Sequence, residues 1–280
     1  MFEPAIVISG VGLIGGSIAA AVRRRSPATR ITGVGRSQQR LNAAKQQGLL
    51  DEISDSPRPG QIPAGSLGVV CLPVEQIAES ARELLDAGCT AVTDAGSVKA
   101  TICAALAAEP RFVGAHPIAG SEQSGFEHAL GDLFEGRICV LCPEAAPLAT
   151  VQRVASFWEG LGMRIRHLTA VDHDRILALT SHLPHVLASV AAGSVSEPQL
   201  EFAGTGFRDT TRIAAGASHI WTSILLENRE ACLEALEVAG RRLDAFRHAI
   251  ADRDADRLAT LWEAGAVNRR QLEVRTDRET

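Results

Sequence analysis

The stretch HPIAGSEQSG, from His116 to Gly125, sets an imidazole and a carboxylate among small residues, and Pro117 fixes the chain beside the histidine. Residues this small make a poor core, so the segment suits close approach to a ligand. A neutral imidazole titrates near neutrality and is a ready proton acceptor. Upstream, TDAGSVK offers Asp94, Ser97 and Lys99. Downstream, SHLPH offers His182 and His185, and GTGFRDTTR offers Arg208 and Arg212. A guanidinium is built for a two-pronged grip on a carboxylate. Arg208 and Arg212 share a face if both are helical, in which case Arg208 has Asp209 or another acid as an alternative partner.

A second constellation belongs to a phosphate. Gly10, Gly12 and Gly15 form G-x-G-x-x-G within AIVISGVGLIGGSIAAAVRRR, between an apolar strand pattern and a helix pattern. In that setting the glycines serve a tight turn, close approach of backbone to pyrophosphate, and close helix–strand packing. Backbone N–H groups at the helix start then face the phosphates. The cofactor-binding candidates are Gly10, Gly12, Leu13, Ile14 and Gly15, with Leu72 and Pro73 in the loop after SLGVVC. NAD-binding chains usually carry Asp or Glu about 20 residues past the last glycine. Here Gly35 is followed by Arg36 and Ser37. These bring no carboxylate to repel a 2′-phosphate, and they offer it charge-assisted bonds worth roughly 1.5–3 kcal/mol each. NADP is therefore expected over NAD; Arg36 stacked on adenine would suit either.

Strand-like and helix-like segments alternate through the first part of the chain: RITGVGR, LNAAKQQGLL, SLGVVCLPV, IAESARELLDAG, TAVTDAGSVK, ATICAALAAE, RFVGAHPIAG, RICVLCP and MRIRHLT. That alternation predicts an α/β fold with a mostly parallel sheet covered on both faces. Beyond Leu168 the period is helical throughout. The 280 residues exceed what one core usually holds. A Rossmann-type domain over 1–166 and an all-helical domain over 167–280 are expected. The run WTSILLENREACLEALEVAGRRLDAFRHAI reads as a single long helix rich in apolar residues, with more such surface than its own domain needs. Cys139 and Cys142 form C-x-x-C, but on a strand positions three apart face opposite sides, so neither metal nor redox chemistry is expected of them.

GVGLIGGS, TDAGSVK, HPIAGSE, SHLPH and GTGFRDTTR, in that order, resemble the prephenate/arogenate dehydrogenase family over most of the chain. The resemblance implies an NAD(P)-dependent oxidative decarboxylation of a cyclohexadienyl acid in tyrosine biosynthesis. It makes His116 the group that hydrogen-bonds the substrate's 4-hydroxyl and Ser97 its neighbour at the same oxygen. Arg212 is similar to the arginine that binds a substrate carboxylate, and His182 to a histidine near the ring carboxylate. Ser121 and Glu122 occupy positions lining the substrate side. Trp221 is kept, but many relatives read close to DPxMW where this chain has Ser218, His219 and Ile220 before the tryptophan. That departure leaves the choice between prephenate and arogenate open. The resemblance also implies a homodimer formed through the helical domain.

Two other readings compete. A β-hydroxyacid-type dehydrogenase or reductase usually relies on a lysine in its helical domain, and from Ala170 onward there is none. A regulatory protein that senses NADP(H) without turnover would need the glycine loop but not His116, Ser97 and Arg212 together. The net charge of −5 argues against non-specific nucleic-acid binding. No apolar run is read as long enough to span a membrane, and MFEPAIVISG lacks a leader's charged start, so the cytoplasm is the expected location.

Overall fold

The computed structural model describes residues 3–120, 123 and 125–277, with side chains as far as 273. The strands are β1 (Ala5–Ser9), β2 (Arg30–Val34), β3 (Glu52–Ser54), β4 (Leu67–Val70), β5 (Ala91–Asp94), β6 (Phe112–Pro117), β7 (Ile138–Cys142) and β8 (Arg164–His167). They form one eight-stranded sheet in the order β3-β2-β1-β4-β5-β6-β7-β8. Every pairing is parallel except β6 with β7. The order reverses between β1 and β4, and in open α/β sheets ligands bind beyond the carboxyl ends of the strands at such a point.

The helices on the sheet are α1 (Leu13–Arg25), α2 (Gln38–Gln46), α3 (Val74–Asp86), α4 (Ala100–Ala105) and α5 (Leu148–Gly160). Side chains alternate across each strand, so the two faces carry separate cores. Ile6, Ile8, Leu67, Val69 and Leu141 pack with Ile18, Val22 and Trp158 of α1 and α5. Val7, Val70, Val92 and Val140 pack with Ile77, Leu84 and Ile102 of α3 and α4. Cys139 falls in the first core and Cys142 in the second, as a strand's period requires.

After His167 the chain is helical: α6 (Ala170–Leu177), α7 (Leu183–Gly193), α8 (Thr205–Thr211), α9 (Ser218–Glu227), α10 (Arg229–Ala251) and α11 (Ala255–Asp277). The compact units divide later, into Met1–Arg229 and Glu230–Thr280. The run expected as one long helix is two, because Asn228 ends α9 with φ −106° and ψ 34°. Its side-chain amide turns inward, onto the Asp174 carbonyl oxygen, instead of continuing the helical surface. A second expectation is also corrected. Among the described residues, Ala170–Gly193 is by length and composition apolar enough to cross a membrane. Scattered polar residues hid this run from a search for unbroken apolar stretches. It is a continuous helix in which α6 and α7 are joined by a π turn, Ala178–His182.

Candidate active site

The glycine loop follows β1. Gly10 has φ +91°, and a Cβ there would lie 2.5 Å from the Cys71 carbonyl oxygen and 2.9 Å from Leu72 Cδ2. Only glycine fits that position. At Gly12 a Cβ would meet nothing within 4 Å, which leaves space above the loop. Gly12 is the N-cap of α1, no side chain caps the helix start, and its first turn holds no acidic residue. The N–H groups of Leu13 and Ile14 thus open an uncapped, unopposed positive helix end, which fits a pyrophosphate. Leu72 and Pro73 lie beside this loop, after β4. Arg36 is exposed just past β2. Ser37 caps α2 and accepts the Arg40 N–H at 3.4 Å, which leaves its hydroxyl proton to donate elsewhere.

The next strands bring a buried polar chain to the same edge. At the end of β5, Asp94 Oδ1 accepts the Ala115 N–H at 2.9 Å and Oδ2 accepts the Gly96 N–H at 2.9 Å. Asp94 Oδ2 also receives the Lys99 ammonium, and both side chains are wholly buried. The backbone N–H of Lys99 and that of Ala100 then donate to Asp174 Oδ1 and Oδ2, each at 2.8 Å. Asp174 Oδ1 is 2.7 Å from His173 Nδ1. His173 Nε2 is 2.8 Å from His116 Nδ1. His116 is the penultimate residue of β6, inside the strand rather than in the loop after it. Ser97 lies in the tethered β5–α4 loop, but no hydrogen bond joins it to His116 among the described residues.

The helical segment adds a second row. Asn228 Nδ2 donates to the Asp174 carbonyl oxygen at 2.8 Å and is 3.1 Å from His182 Nδ1. His182 packs edge-on to Trp221 at 6.2 Å between ring centroids, and His185 stacks on the same indole at 3.6 Å. Pro184 sits inside this helix, where it would kink a regular α-helix. It is accommodated by the π turn, in which Leu183 N–H reaches back to Ala178 oxygen. Proline has no N–H and its ring crowds the carbonyl four residues back, so the helix widens for one turn there. Arg212 starts a tighter turn, Arg212–Ala215, directly after α8, so Arg208 and Arg212 do not lie on one regular helix. Arg212 is near enough to His185 for its guanidinium to add to the depression of that imidazole's basicity. Ser121 and Glu122 lie outside the described residues.

Burial dominates the titration of these imidazoles. It holds His116 well below 6.5, reinforced by His173, Lys99 and His182 nearby. It also lowers His173, against the opposing pull of the Asp174 hydrogen bond. His182 falls to about 4, again chiefly through burial. All three are neutral at pH 7. His173, Asp174 and Asn228 were not singled out from sequence. The adjacent His173–Asp174 pair was the one available hint, since an imidazole beside an acid is a potential orienting pair.

Known proteins share this arrangement of domains. The profile described as prephenate dehydrogenase, nucleotide-binding domain, matches residues 18–167. The profile described as prephenate dehydrogenase, dimerization domain, matches residues 169–263. The chain belongs to the prephenate dehydrogenase family. Among relatives, the cyclohexadienyl dehydrogenase of Zymomonas mobilis is 33% identical over 97% of this chain and 96% of its own length. The prephenate dehydrogenase of Bacillus subtilis is 31% identical over 96% of this chain and 76% of its own length. The crystal structure of prephenate dehydrogenase from A. aeolicus, in complex with hydroxyphenyl propionate and NAD+, superposes with a TM-score of 0.89 at 29% identity, covering 97% of this chain and 99% of that one. This member of the prephenate dehydrogenase family is thus an oxidoreductase with a nucleotide-binding domain and a dimerisation-type helical domain.

The neutral imidazoles make stability depend on acid. Below pH 6.5 the unfolded chain binds protons that buried His182 refuses until about pH 4. Stability from this source is complete above 6.5 and is lost as pH falls through that window. The melting temperature is expected to drop between pH 6.5 and 4, with a shallower drop in His182→Gln. Equal slopes in the two proteins, measured by calorimetry, would contradict this.

Proposed function

We propose that this chain oxidises and decarboxylates prephenate or arogenate with a nicotinamide dinucleotide as acceptor. The observation that carries the reading is the hydrogen-bonded pair of His116, near the end of β6, and buried His173, on α6, in a chain of this family that also carries an open dinucleotide cradle after β1. When bound, the nicotinamide supplies the hydride acceptor. His116 accepts the proton of the 4-hydroxyl as hydride leaves C4. Loss of CO₂ from C1 then sends its bonding electrons into the ring, and the proton returns to the oxygen of the new phenol. Proton transfer of this kind is typically worth about 10²–10⁴ in rate. Aromatisation makes the sequence effectively irreversible.

The other side chains hold the substrate. Ser97 contacts the same hydroxyl from the tethered β5–α4 loop. Arg212 pairs with one carboxylate, and His182 stands near the other with Trp221 behind it. Ser121 and Glu122 complete the substrate side. Around the cofactor, Gly10, Gly12, Leu13, Ile14 and Gly15 cradle the pyrophosphate, and Leu72 and Pro73 border it. Arg36 and Ser37 favour NADP, because a guanidinium and a hydroxyl meet the 2′-phosphate where an acid would repel it. A non-catalytic sensor would have no use for an imidazole pair anchored on a buried carboxylate.

A functional division at 166/167 is supported to within one residue by β8, the last strand, which ends at His167. The helical part assembles a homodimer in this reading. Its helices α10 and α11 leave Leu243, Ile250 and Trp262 exposed, at 60%, 63% and 74%. That much bare apolar surface is what a subunit interface covers.

In an assay of both substrates with both cofactors, reduced nicotinamide should form, and His116→Asn should cut kcat at least 100-fold with cofactor affinity unchanged. Turnover within about tenfold of the parent would remove His116 from this role. Arg36→Asp should move the kcat/KM ratio from NADP toward NAD; an unchanged ratio would refute the assignment of Arg36. Light scattering after size exclusion should give twice the 29.6 kDa chain mass, and a monomer at micromolar concentration would rule out the dimer.

A further inference from the structure

We infer that His173 and Asp174 are positioning residues for His116: they hold its proton on Nδ1 and leave Nε2 bare to receive the proton of the substrate. The inference rests on the role proposed for His116 and adds two residues to it.

The argument follows the donors along the chain of contacts. Both Asp174 oxygens accept from backbone N–H groups, those of Lys99 and Ala100 at 2.8 Å. A carboxylate in that setting has only acceptor capacity, so at 2.7 Å the His173 Nδ1 must donate to it. Buried and neutral, His173 then has no proton on Nε2. That nitrogen is 2.8 Å from His116 Nδ1, which must therefore donate in turn. The proton of neutral His116 is accounted for, and its Nε2 carries a lone pair. The opposite tautomer would set two lone pairs against each other at 2.8 Å.

The same chain serves the step that follows. When His116 Nε2 takes the hydroxyl proton, the ring becomes an imidazolium. Its Nδ1–H then makes a charge-assisted bond to His173, which is itself anchored on the Asp174 carboxylate. Burial alone disfavours that cation, so the relay lowers the cost of forming it where it is needed. Orientation is also set, because the hydrogen bond and edge-on ring contact with His173 restrain rotation of the His116 ring. His182 ends with the opposite tautomer. Asn228 Nδ2 donates to the Asp174 carbonyl oxygen, so the nitrogen assignment is fixed, and its second hydrogen faces His182 Nδ1. His182 therefore carries its proton on Nε2. One imidazole presents an acceptor and the other a donor, which suits a hydroxyl and a carboxylate respectively.

The test uses the full-length enzyme. Selective ¹⁵N-imidazole spectra of the wild type should show His116 protonated on Nδ1, and His173→Leu should shift it toward Nε2–H. His173→Leu should lower kcat about 100-fold, with substrate KM changed less than about threefold, since the loss falls on proton transfer rather than binding. His173→Gln, whose amide oxygen can still accept from Nδ1–H, should recover activity to within about tenfold of wild type. In the His116→Asn background, His173→Leu should add no further loss, because both act through one group. An Nε2–H signal for His116 in the wild type would overturn the inference even if the leucine variant failed to fold. So would full kcat in His173→Leu, or additive losses in the double variant. If His116→Asn alone stays within tenfold of wild type, it is the role of His116 that fails, and this outcome is distinct from the others.

Discussion

A single buried carboxylate, Asp174, organises the polar interior of this protein. Its oxygens take the N–H groups of Lys99 and Ala100 and the ring of His173, while its own carbonyl takes the amide of Asn228. An ion of this kind is costly to bury unless its lone pairs are met, and here the partners come from the start of α4, from α6 itself and from the end of α9. Meeting that requirement pins the β5–α4 loop, the start of α6 and the end of α9 to one another. The break between α9 and α10 is part of the same requirement, because a continuing helix would carry Asn228 away from its two partners.

A buried ion pair lies on the other side of the same loop. Asp94 and Lys99 are both sealed from solvent, and Asp94 also receives the N–H groups of Gly96 and Ala115. Removing one partner from such a pair typically costs about 3–5 kcal/mol, because the other charge is left stranded. The loop carrying Ser97 is thus clamped from both sides, by Asp94 within the sheet and by Asp174 from the helix above. The Ala115 contact extends the clamp to β6, one residue before His116. An imidazole placed this way is held by backbone on one side and by His173 on the other, so its position does not depend on substrate being present.

The low-dielectric surroundings that make these carboxylates demanding also keep the imidazoles neutral. His116, His173 and His182 all lose basicity through burial before any neighbouring charge is counted. For a proton acceptor this is useful at neutral pH, since the lone pair is always present. It also raises the cost of the protonated state, which is why an anchored anion two contacts away matters. The π turn before Pro184 belongs to the same economy of local devices. The proline withholds one N–H, the helix widens, and His182 is left at the end of the widened turn, facing Asn228.

Much of the architecture was legible in the sequence because its causes are local. Short, wholly apolar runs predict the doubly covered strands, the 3.6 period predicts helices, and Gly10 and Gly15 mark a turn with no room for a larger residue. The opposite facing of Cys139 and Cys142 followed from strand geometry alone. His116, Ser97, His182 and Arg212 stood out because small residues or proline surround them and because of the family they resemble. His173, Asp174 and Asn228 had no such marker. Their importance arises from α6 meeting the start of α4, the end of β6 and the end of α9, which joins residues 75, 57 and 54 positions apart in sequence. Local spacing set which segments would be strand, helix and phosphate loop; only the tertiary structure decided which nitrogen of His116 is free, because a tautomer is settled by contacts that sequence distance does not encode.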